Sequence, residues 1–247
     1  MMGWEQPVLD KAVEDIFGYH ALQFGVPGLQ ALAHNRMANR WLVLDSTMAI
    51  ESCDESLKQP DLFSRFDALP FPDQSIDLVI LPHTLDLSAD PHATLREVVR
   101  VLVPEGKVII TGINPTSLWG LLQRRVNFAR RFGEKAQFLP LGEGSLIGYW
   151  RLRDWLRLLN LSICSGCFGC YRPAFKKQKW LDKSKWMEAA GDRWWPILGA
   201  TYQITAVKRI QGAKLIGAAN WKKTKAAKTV AAGARKVHRE KSDSLKS

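Results

Sequence analysis

The pattern of apolar positions is clearest at "SIDLVILPH" (75–83), where Ile76, Leu78, Val79, Ile80 and Leu81 stand almost without interruption. A half-exposed strand alternates apolar and polar residues. A near-continuous run of this length instead fits a strand covered on both faces, as in a parallel sheet. "YHALQFG" (19–25), "RWLVLDS" (40–46) and the "KVIITGI" part of 104–115 read the same way, and "LSICSGCFGC" (161–170) and "TYQITAVKR" (201–209) are further strand candidates. A short extended run opens 62–74 before a Pro-rich loop. Between the strands the period changes. Leu29, Leu32 and Ala33, with the stem of Arg36, predict a helix over 29–37. In 90–102, Asp90 is a cap, Pro91 suits the first helical position, and Leu95, Val98, Val99 and Leu102 form a buried stripe. In 151–160, Leu152, Trp155, Leu156 and Leu159 face inward. Strands alternating with helices predict an α/β, doubly wound, Rossmann-like sheet. Ligands in such sheets bind outside the carboxyl ends of the strands. Here those ends are 25–28, Asp45, 66–69, 81–84 and 113–115.

One long block is more specific. It contains Leu69-Pro70-Phe71, Ser75-Ile76-Asp77, Arg96-Glu97, and Arg100-Val101-Leu102 followed by Pro104-Glu105-Gly106, in this order within 67–115. This block resembles class I S-adenosylmethionine (SAM)-dependent methyltransferases of the methyltransferase domain 11 type. With "NPTSLWGLL" and "RLRDWLRLLN", the chain is also similar to a proteobacterial subgroup of such proteins that has no assigned substrate. The resemblance covers roughly 15–210. It implies a seven-stranded sheet of order 3-2-1-4-5-7-6 with the last strand antiparallel. It also implies a methyltransferase-like domain over 1–212, with 171–200 inserted between the last two strands, SAM as cofactor, and methyl transfer to an unknown acceptor.

The same resemblance assigns site residues and exposes departures. The first loop of the family is hydrophobic-acid-hydrophobic-G-x-G-x-G. Here Leu22-Gln23-Phe24-Gly25-Val26-Pro27-Gly28 stands in its place. Gln23 replaces the acid, though it retains an acceptor. Gly25 and Gly28 remain for close backbone approach, while Pro27 removes an N–H donor. The expectation is weakened or altered cofactor binding, which Gln23→Glu with Pro27→Gly would restore. Asp45 lies where dinucleotide folds carry a ribose-binding acid; the alternative is a helix cap or loop aspartate. Strict spacing places Arg65 at the position of the acid near adenine, and Asp67 with the backbone of Ala68 is the nearby candidate. Leu81 and Pro82 would line the cofactor site. His83, at the end of the fourth strand, is either a general base for the acceptor or a residue that shapes the pocket. Asn114 is either a substrate contact or part of a turn.

Composition refines the picture at one end of the chain. The formal charge is +11. Twelve bases and two acids from Lys208 onward account for +10 of it, so the body is almost neutral. The stretch 213–247 is Ala-, Lys-, Ser- and Thr-rich, which predicts a disordered basic tail, either solvated or a handle for RNA or another acidic partner. This supports an alternative reading: a catalytically inactive methyltransferase-fold protein that binds RNA or a protein partner. Cys164, Cys167 and Cys170 lack the paired spacing of a zinc site, and no metal is expected. The Trp-rich 171–200 covers the cleft as a lid or packs on the sheet. The N-terminal stretch lacks a basic n-region, no apolar run reaches a membrane span, and the cysteine content suits a cytoplasmic, reducing setting. The absent GxGxxG turn argues against a nicotinamide dehydrogenase.

Overall fold

Seven strands form one sheet: β1 (His20–Phe24), β2 (Asn39–Leu44), β3 (Leu62–Phe63), β4 (Ile76–Pro82), β5 (Leu102–Ile113), β6 (Leu161–Gly169) and β7 (Thr201–Lys208). Their order is β3-β2-β1-β4-β5-β7-β6. Pairing is parallel from β3 to β5, and β7 runs antiparallel to both β5 and β6. This is the expected fold class and order. The computed structural model describes residues 2–46, 59–130, 146–171 and 198–209. The chain divides into a compact unit Met1–Ile210 and a second, Gln211–Ser247. The basic tail, most of the 171–200 insertion and Cys53 lie outside the described residues.

Five helices accompany the sheet among the described residues: α1 (Met2–Glu14), α2 (Thr84–Leu87), α3 (Pro91–Val101), α4 (Leu118–Arg130) and α5 (Tyr149–Leu158). Strand residues alternate between two apolar layers, as the pleat requires. Leu22, Phe24, Val79, Leu81, Val108 and Ile110 pack with α3 and α5 through Leu95, Val98, Val101, Leu152 and Leu156. Ala21, Leu78, Ile80 and Ile109 face the other way and meet Leu9, Val13 and Ile16 of the α1 region, with Ala31, Leu32 and Met37. The start of α3 follows the predicted cap: Asp90 Oδ1 accepts the Ala93 N–H at 2.9 Å. Its end is capped from a distance, because Lys208 Nζ donates to the carbonyls of Val99 and Leu102, each at 2.7 Å.

Two local expectations change. The first concerns the helix over 29–37. Residues 26–35 instead form successive four-residue turns: Leu29 N–H to Val26 O, Ala33 N–H to Gln30 O and Asn35 N–H to Leu32 O, at 3.1, 3.0 and 3.3 Å. The backbone groups that a helix would use are taken by side chains from elsewhere. Gln23 holds Leu29 O and Ala31 N–H. Gln6 donates to Gln30 O and accepts from Gln30 N–H, both at 3.1 Å. Arg40 donates to Leu32 O and Asn35 O. Asn35 in turn donates to Val13 O and Ile16 O. With these backbone groups held by side chains from β1, β2 and α1, the segment is kept in turns and out of a helix. The second change is α1, which takes the place on this face that a crossover helix would fill. Leu9 and Val13 are one helical turn apart, Ile16 follows the end of the helix, and Pro7 lies in its first half.

The 67–115 block proves to be a structural lock. Arg100 donates to Glu97 through Nε and Nη2 at 2.9 and 2.7 Å, reaches the carbonyls of Leu69 and Phe71, and pairs with Asp73. Glu97 accepts the Leu69 N–H at 2.8 Å. Asp77 accepts the N–H groups of Tyr19 and His20 at 2.8 and 2.9 Å, tying the entry of β1 to β4. The Pro104-Glu105-Gly106 turn lies inside β5, with Glu105 left-handed at φ 62°. The pairing register jumps there from Ile76–Leu102 to Leu78–Lys107.

Arg100→Ala leaves Glu97 and two carbonyls without their partner. The expected loss is about 2 kcal/mol, less than for a fully buried pair because Arg100 is partly exposed. Asp73→Asn, on the exposed side, should cost below about 0.5 kcal/mol. Urea unfolding of both variants checks the contrast.

Candidate functional site

Strand order reverses between β1 and β4, so the crevice above their carboxyl ends is where an open α/β sheet takes a ligand. Gly25 follows β1 in the left-handed region at φ +60°. Its N–H continues the ladder to Val43 O at 2.9 Å. A side-chain carbon placed on Gly25 would find Thr84 Oγ1 at 3.6 Å, an ordinary contact, so the left-handed backbone and not crowding is what favours glycine here. Gly28 is exposed in the β-turn that Pro27 begins and is not left-handed.

Gln23 turns its amide into the loop that follows β1. It is buried, with Nε2 donating to Leu29 O and Oε1 accepting from Ala31 N–H at 3.0 Å. Both ends of its amide brace the loop that follows. A carboxylate would keep the second bond and set a negative oxygen against the Leu29 carbonyl. The idea that Gln23→Glu restores a cofactor acid therefore fails on the geometry: the loop is built around an amide.

The other candidates divide. Asp45 directly follows β2, half-buried, close enough for its charge to act on Arg65. Arg65 and Asp67 come together as a fork, Nε to Oδ1 at 2.9 Å and Nη2 to Oδ2 at 2.6 Å. This bond holds the Asp67 carboxyl below its usual range. The Ala68 N–H is engaged with Arg65 O at 3.3 Å, closing the turn. Arg65 thus occupies the acid proposed for adenine. Leu81 and Pro82 are buried in β4 and pair with Ile110 and Thr111. Asn114 is a turn organiser: Nδ2 donates to Gly199 O at 3.0 Å, and Oδ1 accepts from Thr116 N–H and Oγ1 at 3.1 and 2.7 Å.

His83 ends β4 in the left-handed region, φ 53°. Its Nε2 is 2.8 Å from Glu5 Oε1, and its Nδ1 lies 3.7 Å from Asp86 Oδ2. Both carboxylates are 1% exposed. Asp86 also accepts the N–H groups of Ile113 at 2.9 Å and Ile147 at 3.2 Å, so it joins the ends of β4 and β5 to the approach to α5. Burial is the largest single influence on the imidazole and works against its charge. The close approach of the Asp86 carboxylate, with the hydrogen bond and charge of Glu5, outweighs it and raises His83 to about 9. At neutral pH the ring therefore already carries the proton, the reverse of what a general base requires. Of this cluster, Glu5 and Asp86 were not legible as site residues. Glu5 is 78 positions from its partner, and Asp86 is a lone acid in an apolar stretch. Among the described residues, no group of His, Cys, Asp and Glu forms a metal site, and no helix is long and apolar enough to cross a membrane.

With this geometry in place, the chain can be compared with known proteins. Residues 22–110 match the Methyltransferase domain family, and solved structures of methyltransferases share the fold. The Escherichia coli (strain K12) uncharacterized protein YafS is 38% identical over 95 residues, which span 38% of this chain and 36% of that protein. The chain therefore aligns with only about a third of that relative's length. Among solved structures, the complex of the Haloferax volcanii Trm112 methyltransferase activator with a candidate methyltransferase superposes with a TM-score of 0.57 at 16% identity, covering 84% of this chain and 90% of that one. A Thermotoga maritima SAM-dependent methyltransferase, titled a possible histamine N-methyltransferase, gives 0.54 at 14% identity, covering 84% and 95%. The [4+2]-cyclase SpnF gives 0.51 at 16% identity, covering 84% and 80%. At these identities the likeness is one of fold, and a fold can carry more than one chemistry.

Gln23→Glu should lower stability by about 2 kcal/mol and should not strengthen SAM binding, measured by denaturant unfolding and titration calorimetry on the same preparation. For His83, the folded value lies above the ordinary 6.5, so its stabilisation is complete below about pH 6.5 and is lost as pH rises through about 9. Wild-type stability should fall by up to about 3 kcal/mol across that window. His83→Asn, which tolerates the left-handed backbone, should lack this fall.

Proposed function

We propose that the protein is a SAM-dependent methyltransferase whose cofactor is held mainly from its adenosine side. The observation that carries this reading is Gly25: a left-handed glycine at the reversal of strand order, inside the segment that matches the methyltransferase family. Gly25 and Asp45 fit the group. Gln23 does not, and Asp67 fits only if Arg65 releases it. When bound, SAM supplies an electrophilic methyl on a sulfonium, so positioning can provide much of the rate. The residues at the end of β4 then orient the acceptor and exclude water. His83, already protonated, takes no proton from the acceptor near neutral pH, which favours an acceptor that needs no base from this residue. The acceptor itself is unknown, and the protein acts in the cytoplasm on this reading.

A second reading has a specific observation behind it. The Gln23 brace, the Arg65–Asp67 fork and the missing helix after β1 remove recognition groups that a SAM site uses. They favour a catalytically inactive protein of this fold that binds RNA or an acidic partner through the basic stretch 213–247.

Titration calorimetry with SAM and S-adenosylhomocysteine, at protein concentrations well above micromolar, separates the two. The first reading expects saturable heat with both, and flat titrations would overturn it. The second expects flat titrations together with RNA retention that weakens with salt and disappears when 213–247 is deleted.

A further inference from the structure

The first two turns of α1 touch three separated parts of the sheet's carboxyl edge. Glu5 bonds His83 at the end of β4. Gln6 makes its two-way bond with Gln30 in the loop after β1. The indole of Trp4 packs against Gly169 at the end of β6, leaving no room there for a side chain. Beneath this edge, Gly25 and Thr84 are buried. The backbone of this end of the helix is weakly held. Pro7 lies inside α1 and has no N–H to donate to the turn before it, and the first four N–H groups of any helix have no intrahelical partner. Lower down, Leu9, Val13 and Ile16 are fixed in the second apolar layer. The helix therefore has an anchored lower half, a break in its hydrogen bonding, and an upper end held by side chains.

We infer that the start of α1 is a strap across the carboxyl edge, latched by Glu5 to His83, and that it pivots near Pro7 to admit a ligand to the crevice over Gly25. The strap stands on contacts within the chain. Only the nature of the ligand rests on the cofactor reading above. Neutralising either partner leaves the other as a buried charge without its mate and frees the end of the helix. The charged groups at His83 are Glu5 from α1 and Asp86 from α2. Behind them Tyr202 of β7, donating to Ile147 O at 2.8 Å, stays neutral because burial pushes its phenol well above the usual value.

Hydrogen–deuterium exchange of the full chain at neutral pH tests the latch in wild type, Glu5→Gln, His83→Asn and the double variant. Each single variant should lose roughly tenfold or more protection in peptides from the start of α1, with β4 and β5 unchanged. The double variant should lose no more than either single, because both remove the same interaction. Unchanged α1 protection in the singles, or losses that add in the double, overturns the proposal. If a variant loses protection throughout the sheet, the wild-type protein decides instead. Its α1 protection, corrected for intrinsic exchange and referenced to β4, should fall as pH rises through about 9, and a flat profile overturns the latch. Stopped-flow mixing with SAM adds the functional arm: association should be faster in Glu5→Gln. No binding in any variant defeats the cofactor reading while the exchange result still judges the strap. Binding at equal rates in wild type and Glu5→Gln defeats the strap as a gate while leaving the cofactor reading intact.

Discussion

Strands that are apolar on both faces need cover on both faces, and the rest of this structure follows from that demand. β1, β4 and β5 send Leu22, Val79 and Ile110 to one side and Ala21, Ile80 and Ile109 to the other. Helices α3 and α5 cover the first side. On the second, the segment between β1 and β2 forms turns, so the amino-terminal helix supplies the missing layer. Fully burying Leu9, Val13 and Ile16 there stabilises the fold by about 2 kcal/mol per side chain as an upper figure. The same packing brings the start of α1 to the carboxyl edge. Covering the core and closing the crevice are thus two ends of one helix.

The charged residues of the central block do a different task from the one their position near a cofactor fold suggests. Arg100 and Glu97 gather the Leu69–Phe71 turn onto α3, Asp77 holds the entry to β1, and Asp86 gathers backbone N–H groups at the exit of β5. Each carboxylate accepts bonds from backbone N–H groups, and those that Asp86 accepts are buried, where an unpartnered group is costly. This network keeps the strand ends in place around Gly25, which leaves the few residues near that glycine to set the chemistry.

Much of the fold was legible because it depends on properties of single segments. Apolar runs specify buried strands, Asp90-Pro91 specifies a helix start, and the order of the 67–115 matches specifies the sheet. The site was legible only as a set of places. Gln23, Asp67, His83 and Asn114 all lie at loops or strand ends where the sequence locates them. Most of their partners were not visible: Ala31, Glu5 and Gly199 come from another turn, another helix and the entry to the last strand, whereas Arg65 lies beside Asp67 but its fork onto that acid was not foreseen. The predicted 29–37 helix failed for the same reason, since side chains from β1, β2 and α1 claim its backbone groups.

The sequence by itself determined the alternation of elements, the doubly wound class, the strand that is covered on both faces, and the glycine that follows the first strand. These are local or periodic properties, set by which side chains avoid water and which backbone angles a residue tolerates. Only the tertiary structure decided which polar groups remain available. Two carboxylates, one of them 78 positions away, favour the charged form of His83, and the buried amide of Gln23 serves as a loop brace. Hydrogen bonding and burial are properties of pairs brought together by folding, so the charge and the role of a residue depend on neighbours that no single stretch contains.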